Sequence, residues 1–253
     1  MHTLITGASS GIGEEFARQF AARGHDLVLV ARSRDRLEDL ARELRAMHSI
    51  QVSVVPLDLA EPGAATTLRE TTERLGVEID TLVNNAGFAA HGDVVDADPA
   101  RLAAQIQLNC GTLVGITAAY LGSMKERGRG TVINVASTAA FQPIPHMAVY
   151  GATKAFVLSF TEALWGETRE LGIRVLAVCP GATDTAFFEV AGEAAAAGSK
   201  RTPRQVVAQA LRTLGGTKSS VVDGAANALV ARVAARLLPK RAIIAIAERS
   251  VRP

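Results

Sequence analysis

The sequence predicts a single α/β domain in which a doubly wound parallel sheet carries helices on both faces. Short runs of Val, Ile and Leu alternate along the chain with longer amphipathic segments, which is the order of βαβ units. The apolar runs show little polar–apolar alternation, as expected for strands that helices cover on both faces. The 253 residues, 48% of them hydrophobic, are enough for one such domain with a large core.

The strands and helices follow from these runs in chain order. We expect strands at residues 2–6, 26–31, 51–57, 81–84, 131–136 and 173–179. We expect helices at residues 12–23, 34–47, 62–75, 99–127, 150–171 and 203–214. Pro62, Pro99 and Pro203 stand near three helix starts, where a missing N–H costs no hydrogen bond, and Asp98 and Thr202 are suitable N-caps.

Charge and cysteine content argue against several classes of function. The formal net charge of +2 and the scattered arginines give no basic surface for nucleic acid. Cys110 and Cys179 are too few for a disulfide framework, and their apolar neighbours indicate buried thiols. No cluster has metal-ligand spacing. The first residues lack a signal-peptide pattern and no apolar run approaches the roughly 20 residues of a membrane span, so we expect a cytoplasmic protein.

A glycine-rich turn joins the first strand to the first helix, with the sequence TGASSGIG at residues 6–13. Gly7 allows a sharp turn off the strand, Gly11 leaves room for a pyrophosphate, and Gly13 lets the helix pack closely on the sheet. The helix start offers free N–H groups and a positive dipole end to phosphates. This order indicates a Rossmann-type dinucleotide site, although the spacing is G-x-x-x-G-x-G rather than the commoner G-x-G-x-x-G.

The tip of the second strand predicts the choice of dinucleotide. An acidic residue there would bind the ribose 2′-OH of NAD, whereas this strand ends in Arg32, whose guanidinium can pair with the 2′-phosphate of NADP(H). Ser10 and Ser33 can add hydroxyl donors. Asp58, followed by Leu59, closes the third strand, where we expect it at the adenine edge or as a simple turn aspartate.

Tyr150 and Lys154 lie four residues apart in a predicted helix, so the phenol and the ammonium share one face. Reduction of a ketone needs a proton donor at the oxygen while hydride reaches the carbon. A nearby cation lowers the pKa of a phenol towards the neutral range. The pair alone would be weak evidence, because this spacing often occurs by chance.

Six motifs in order strengthen the case. They are TGASSGIG at 6–13, NNAG at 84–87, Asn109, Ser137, YGATK at 150–154 and PGATDT at 180–185. Together they resemble the short-chain dehydrogenase/reductase family in its compact single-domain branch, over residues 2–187.

The resemblance implies a catalytic set of four residues. Tyr150 would be the general acid/base, and Lys154 would lower its pKa and bind the nicotinamide ribose. Ser137 would orient and polarise the substrate oxygen, and Asn109 would hold a water that links Lys154 to solvent. The expected cofactor contacts are Gly7, Ser9, Ser10, Gly11, Ile12, Gly13, Arg32, Ser33, Asp58, Leu59, Asn85, Ala86, Gly87, Tyr150, Lys154, Pro180, Gly181, Thr183 and Thr185.

The expected function is an NADP(H)-dependent oxidoreductase that moves a hydride between nicotinamide and the carbonyl or alcohol carbon of a small molecule. An apolar substrate pocket, or ordinary core packing, would explain Phe141, Ile144, Pro145, Met147, Phe187 and Phe188. His91 and His146 could border that pocket, with ordinary surface or buried roles favoured. One alternative is a non-catalytic NADP(H)-binding regulatory protein, which would typically lack the tyrosine or the lysine. Another is a nucleotide-sugar epimerase or dehydratase, which would need a different glycine spacing and a larger C-terminal domain.

The C-terminal fifth departs from the family pattern. We expect residues 1–187 to form the core and 188–253 a substrate lid with a C-terminal extension. Within 225–253 a basic amphipathic helix would place Leu229, Val230, Val233, Leu237 and Leu238 on one side, with Arg232 and Arg236 on another. It would form a lid over the cleft, part of a subunit interface, or a contact with an anionic membrane surface. Gly111, Gly115 and Gly122 in the long helix 99–127 would permit close helix approach in a homodimer or homotetramer, or would serve only packing against the sheet.

Overall fold

Seven parallel strands form one sheet in the computed structural model, which describes residues 1–185, 200–229, 231 and 238–251. The strands lie in the order β3-β2-β1-β4-β5-β6-β7, so the chain winds outward from β1 to one edge and then returns to β4 beside β1. This reversal confirms the doubly wound sheet and opens a crevice at the carboxyl ends of β1 and β4. The strands are β1 His2–Thr6, β2 Asp26–Ala31, β3 Val52–Pro56, β4 Ile79–Asn84, β5 Gly130–Val135, β6 Ile173–Cys179 and β7 Ser220–Val222.

Helices cover both faces of the sheet. They are α1 Gly11–Ala21, α2 Arg34–Met47, α3 Ala64–Arg74, α4 Pro99–Ile106, α5 Leu113–Glu126, α6 Ala148–Thr168, α7 Pro203–Leu214, α8 Ala225–Leu229 and α9 Lys240–Val251. One apolar core contains side chains of α1, α2 and α7, and a second contains side chains of α3, α5 and α6. The strands supply Val, Ile and Leu to both cores, which explains why their sequences do not alternate.

The predicted helix starts at Asp98 and Thr202 are confirmed. The Asp98 carboxylate accepts a 3.0 Å hydrogen bond from the Ala100 amide, and Pro99 follows at the first helical position. Thr202 and Gln205 form a reciprocal capping box before α7.

The predicted continuous helix 99–127 is wrong in one respect. A π-helical segment, Gln107–Thr112, separates α4 from α5. Wider i→i+5 turns of this kind often occur at functional sites, and this one contains Asn109. By length and composition alone, the stretch Pro99–Glu126 could also cross a membrane. Its buried side chains pack in this domain against β4, β5 and α3, so we interpret it as a core helix.

Two elements near the C-terminus were not predicted. β7 has three residues, too few to show a hydrophobic periodicity. α9 lies after residues 225–238, whose pattern predicts the amphipathic helix. Leu229 and Leu238 are 63% and 43% exposed, so neither belongs to a buried stripe. Phe187, Phe188, Val230, Arg232, Val233, Arg236 and Leu237 lie outside the described residues.

Candidate active site

A cavity of about 710 Å³ opens at the carboxyl ends of the strands. This is the edge at which doubly wound sheets bind dinucleotides, and the volume lies in the range of pockets that bind organic ligands. The structure brings most of the predicted site residues to this one cavity. Those that line it are Gly7, Ser9, Ser10, Gly11, Ile12, Arg32, Ser33, Leu59, Asn85, Ala86, Gly87, Ser137, Tyr150, Lys154, Pro180, Gly181, Thr183 and Thr185.

The glycine turn has the geometry that its sequence predicts. Gly7 and Gly11 have φ angles of 65° and 59°, a region that side-chain-bearing residues rarely adopt. A Cβ on Gly13 would lie 2.2 Å from the Gly7 carbonyl oxygen, so Gly13 is required for close packing of α1 and does not line the cavity. A Cβ on Gly11 would lie 2.8 Å from the Thr185 side chain, which leaves no room there for a larger residue.

Hydrogen bonds hold the turn after β4 against β1. The Thr6 hydroxyl accepts 3.0 Å bonds from the amides of Asn85 and Ala86 and donates to the Val83 carbonyl. The Asn85 side chain donates to the carbonyls of Thr6 and Gly7, at 3.0 and 3.2 Å. These hydrogen bonds join the two walls of the crevice.

Arg32 lies at the cavity wall with its side chain 79% exposed and free to swing towards a ligand. Its Nη1 is 4.0 Å from Asp58 Oδ2, too far for a strong ion pair. Asp58 does not line the cavity, and its other oxygen accepts a 2.9 Å bond from the Ala60 amide, as a turn aspartate does. Arg36, from the first turn of α2, also lines the cavity and was missed, although it is the third arginine of the run R-S-R-D-R at 32–36.

The charge of the cavity wall fits a phosphate-rich ligand. Among the described residues, its charged side chains are Arg32, Arg36, Arg101 and Lys154, and none is a carboxylate. Together with the positive-φ glycine turn and the start of α1, these cations suit the anionic phosphates of a dinucleotide.

Tyr150 is buried on α6 and hydrogen-bonded to the Ser137 side chain. Burial raises the pKa of its phenol to about 12, and the hydrogen bond from Ser137 opposes that shift. Ser137 follows β5, where its hydroxyl also accepts from the Ala139 amide at 3.1 Å. The pair presents two hydroxyl groups at one point of the cavity wall.

Lys154 lies one turn further along α6, and its Nζ donates a 2.7 Å hydrogen bond to the Val135 carbonyl at the end of β5. The same nitrogen is 5.8 Å from the centre of the Tyr150 ring. Burial lowers the pKa of the Lys154 ammonium to about 8. The phenol and the ammonium are therefore neighbours, as the i, i+4 spacing predicts. The expected lowering of the phenol pKa by the ammonium is not found, because burial dominates and raises that pKa.

Asn109 is buried behind Lys154 and does not line the cavity. Its Nδ2 donates to the Phe88 carbonyl and the Thr153 hydroxyl, both at 3.0 Å, and its Oδ1 accepts from the Phe88 amide at 3.2 Å. The side chain thus joins the π-helical segment to the loop after β4 and to α6. Its predicted role in holding a water stays a prediction.

The thiols and histidines have ordinary surroundings. Cys179 is buried as predicted, whereas Cys110 is only half-buried, with burial raising the pKa of its thiol. Neither His91 nor His146 lines the cavity: His146 pairs with Asp93 at 2.7 Å, and His91 bonds to the backbone of Val251.

The end of the cavity beyond Tyr150 is mostly apolar. Ile144 and Met147 line it as predicted, whereas Phe141 and Pro145 do not. Ala139, Val251 and the polar Gln142, none of them predicted, also line the cavity. Val251 was missed because nothing in its local sequence places it near Tyr150.

The fold, the glycine turn and the Ser–Tyr–Lys arrangement define a nucleotide-dependent oxidoreductase of the single-domain α/β type. The family model for short chain dehydrogenases matches residues 1–196. The chain belongs to this family, and it is an oxidoreductase that uses a nicotinamide cofactor and acts on CH–OH or C=O groups.

Comparison with individual relatives supports the same assignment. The chain is similar to sulfoacetaldehyde reductase 2 of Chromohalobacter salexigens, with 39% identity over 73% of each protein. It is similar to the solved short-chain dehydrogenase of Sphingobium yanoikuyae in complex with NADPH, with 36% identity, a TM-score of 0.84, and coverage of 93% of this chain and 90% of that one. A solved 7β-hydroxysteroid dehydrogenase matches with 29% identity and a TM-score of 0.89, over 97% of this chain and 96% of that one.

Proposed function

We propose that the protein is an NADP(H)-dependent carbonyl reductase, reversible as an alcohol dehydrogenase, with Tyr150 as the general acid/base. The observation that carries the proposal is the buried Ser137–Tyr150 pair beside Lys154 in one cavity. On one side of the pair lies the wall with Arg32 and Arg36, which we propose as the phosphate-binding wall, and on the other the apolar wall. The alternative of a non-catalytic sensor is not favoured, because such a protein would typically lack the tyrosine or the lysine, and here both are present side by side at the cavity.

The preference for NADP(H) rests on the charged wall. Arg32 and Arg36 can pair with a 2′-phosphate through charge-assisted hydrogen bonds, and no acidic side chain at the tip of β2 competes for a ribose hydroxyl. The Sphingobium relative, which binds NADPH, supports the same choice. When bound, the nicotinamide supplies or accepts the hydride.

The side chains of this protein would handle the proton. Because its pKa is raised, the Tyr150 phenol carries a proton across the physiological range and can give it to the carbonyl oxygen during reduction. The Ser137 hydroxyl would hold that oxygen in line. As the phenol becomes phenolate, the adjacent Lys154 ammonium, mostly charged near neutral pH at a pKa of about 8, would stabilise the new negative charge.

The substrate we propose is an apolar carbonyl compound, which the wall of Ala139, Ile144 and Met147 would contact. The likeness to a hydroxysteroid dehydrogenase supports this choice. The likeness to a sulfoacetaldehyde reductase points instead to a small anionic aldehyde, so both types belong in the test.

We also propose a cytoplasmic homodimer or homotetramer. Ile106 on α4 and Phe156 on α6 are exposed apolar side chains on helices that pack against each other. A Cβ on Gly122 would meet nothing within 4 Å, whereas Gly115 already packs against Ala65 of α3. Gly122 therefore leaves space for a second subunit and Gly115 does not.

The experiment is NADPH consumption with a panel of carbonyl compounds: a steroid ketone, a bulky aryl ketone, a short aliphatic ketone and sulfoacetaldehyde. We expect turnover with NADPH to exceed that with NADH, and the bulky apolar ketones to be preferred. Binding of NADPH without turnover of any compound would favour the regulatory alternative, and preference for sulfoacetaldehyde would reject the apolar substrate class.

A further inference from the structure

The tip of α9 reaches the substrate end of the cavity. Val251 is 4% exposed, lines the cavity, and belongs to one apolar cluster with Ala89, Ala139, Met147 and Tyr150. These partners come from the loops after β4 and β5 and from the start of α6, not from the glycine turn. Val251 therefore lies on the side of Tyr150 where a carbonyl compound would sit, away from the phosphate-binding wall.

The position of α9 is set by its own sequence pattern. Ile243, Ala247 and Val251 recur every four residues and are all buried, whereas Ile244 and Ile246 are exposed. Residues at this spacing lie on one face of a helix, so α9 packs against the protein through this face, whose C-terminal end lies at the cavity.

A hydrogen bond holds the C-terminal end of α9 in place. The His91 Nε2–H donates to the Val251 carbonyl at 2.7 Å. His91 lies on the loop after β4. Two hydrogen bonds join this loop to the loop before α6: one of 2.8 Å from the Gly92 amide to the His146 carbonyl, and one of 2.7 Å between His146 Nδ1 and Asp93 Oδ1. The end of α9 is thus attached to both loops that border the apolar wall.

We propose that Val251 is a specificity-determining residue that limits the size of the substrate beside the reacting carbon, and that His91 is the positioning residue that holds it there. This inference rests on the proposed reductase function. It does not need a charge change on His91, because the neutral Nε2–H tautomer and the imidazolium both donate to a carbonyl.

The first experiment changes the size of residue 251 in both directions. Val251→Ala should raise kcat/KM for a bulky ketone relative to a short one by about tenfold, and Val251→Phe should lower the same ratio by about tenfold. The matched control is Ile246→Ala on the exposed face of α9, which should leave the ratio unchanged. Partial unfolding cannot produce opposite shifts in the two variants. Ratios within about twofold of the parent in both Val251 variants would overturn the proposal.

The second experiment does not depend on activity. Hydrogen–deuterium exchange of the amides of α9 should be roughly two- to tenfold faster in His91→Ala, as expected for loss of one hydrogen bond. His91→Gln, whose amide can donate from a similar position, should restore protection, and His48→Ala, after α2, should have no effect. Unchanged exchange in His91→Ala would reject the positioning role. If the parent protein reduces no carbonyl compound, the proposed function fails, while this measurement still decides whether His91 holds α9.

Discussion

The Nζ atom of Lys154 lies 5.8 Å from the centre of the Tyr150 ring, and both side chains are buried. Burial disfavours the charged form of each, so it raises the pKa of the tyrosine to about 12 and lowers that of the lysine to about 8. In the protein alone, Tyr150 is therefore a protonated phenol, and the neighbouring Lys154 is an ammonium group that can still lose its proton. A positive nicotinamide in the same cavity would shift the phenol towards ionisation.

The first prediction concerns the ionisation of the two tyrosines, Tyr120 and Tyr150. Burial raises the pKa of both phenols, so at pH about 10, where free tyrosine is half ionised, the native protein should show little tyrosinate absorbance. Adding NADP⁺ should increase the signal, and Tyr150→Phe should abolish that increase. A native titration that matches the unfolded chain would contradict the raised pKa values.

The raised pKa of Tyr150 also makes the stability of the protein depend on pH. The pKa of Tyr150 is higher in the folded protein than in the unfolded chain. The contribution of this pKa shift to the free energy of unfolding is therefore fully present below about pH 10 and is lost as pH rises through about 12. The alkaline loss of unfolding free energy should therefore be smaller in Tyr150→Phe than in the parent. Chemical denaturation across this pH range measures it, and equal loss in both proteins would contradict the assignment.

The second prediction concerns the cofactor. Arg32→Ala should weaken NADPH binding by roughly ten- to a hundredfold, since a hydrogen bond to a charged group contributes about 1.5–3 kcal/mol, and should leave NADH binding nearly unchanged. Arg36→Ala should act in the same direction. The matched control is Arg34→Ala, an exposed arginine between them that does not line the cavity. Equal losses for NADPH and NADH, or a parent enzyme that prefers NADH, would contradict the role of Arg32.

The third prediction concerns the close approach of α1 to the glycine turn after β1. In Gly13→Ala the new methyl would lie 2.2 Å from the Gly7 carbonyl oxygen, so the turn must shift, with a stability loss of several kcal/mol and loss of NADPH binding. Gly166→Ala in α6 is the control: nothing lies within 4 Å of its Cβ, and helix propensity should stabilise the protein by up to about 1 kcal/mol. Thermal unfolding and NADPH titration compare the two, and a Gly13→Ala protein that binds NADPH normally would contradict this account.

Local patterns were sufficient to predict six of the seven strands, the glycine turn and the position of the Tyr150–Lys154 pair. Each depends on residues close together in the chain: a strand followed by Gly7, Gly11 and Gly13, or an i, i+4 spacing on one helix. The π-helical segment at Gln107–Thr112 could not be predicted, because it changes hydrogen-bond partners without a marked change in composition. The contact of Val251 with the cleft could not be predicted either, since it depends on how the last helix packs against loops far away in the sequence.

The fourth prediction concerns assembly. Light scattering at micromolar concentration should show a dimer or tetramer, and Phe156→Glu should raise the dissociation constant by about tenfold or more, because it places a charge in an apolar interface. Leu75→Glu, an exposed apolar residue that follows α3, should leave the mass unchanged. A monomeric parent protein would reject the proposed oligomer.

The central claim is that the Tyr150 hydroxyl supplies the proton, and the most direct test compares the chain's two tyrosines. Tyr120 is also buried, with its hydroxyl bonded to Thr72 at 2.9 Å, but it lies outside the cavity, so Tyr120→Phe should cost about 0.5–1.5 kcal/mol of stability and keep full activity. Tyr150→Phe should bind NADPH with nearly the parent affinity, while NADPH consumption with the best ketone of the panel falls by about 10²- to 10⁴-fold. A Tyr150→Phe enzyme that turns over within about tenfold of the Tyr120→Phe enzyme would contradict the mechanism.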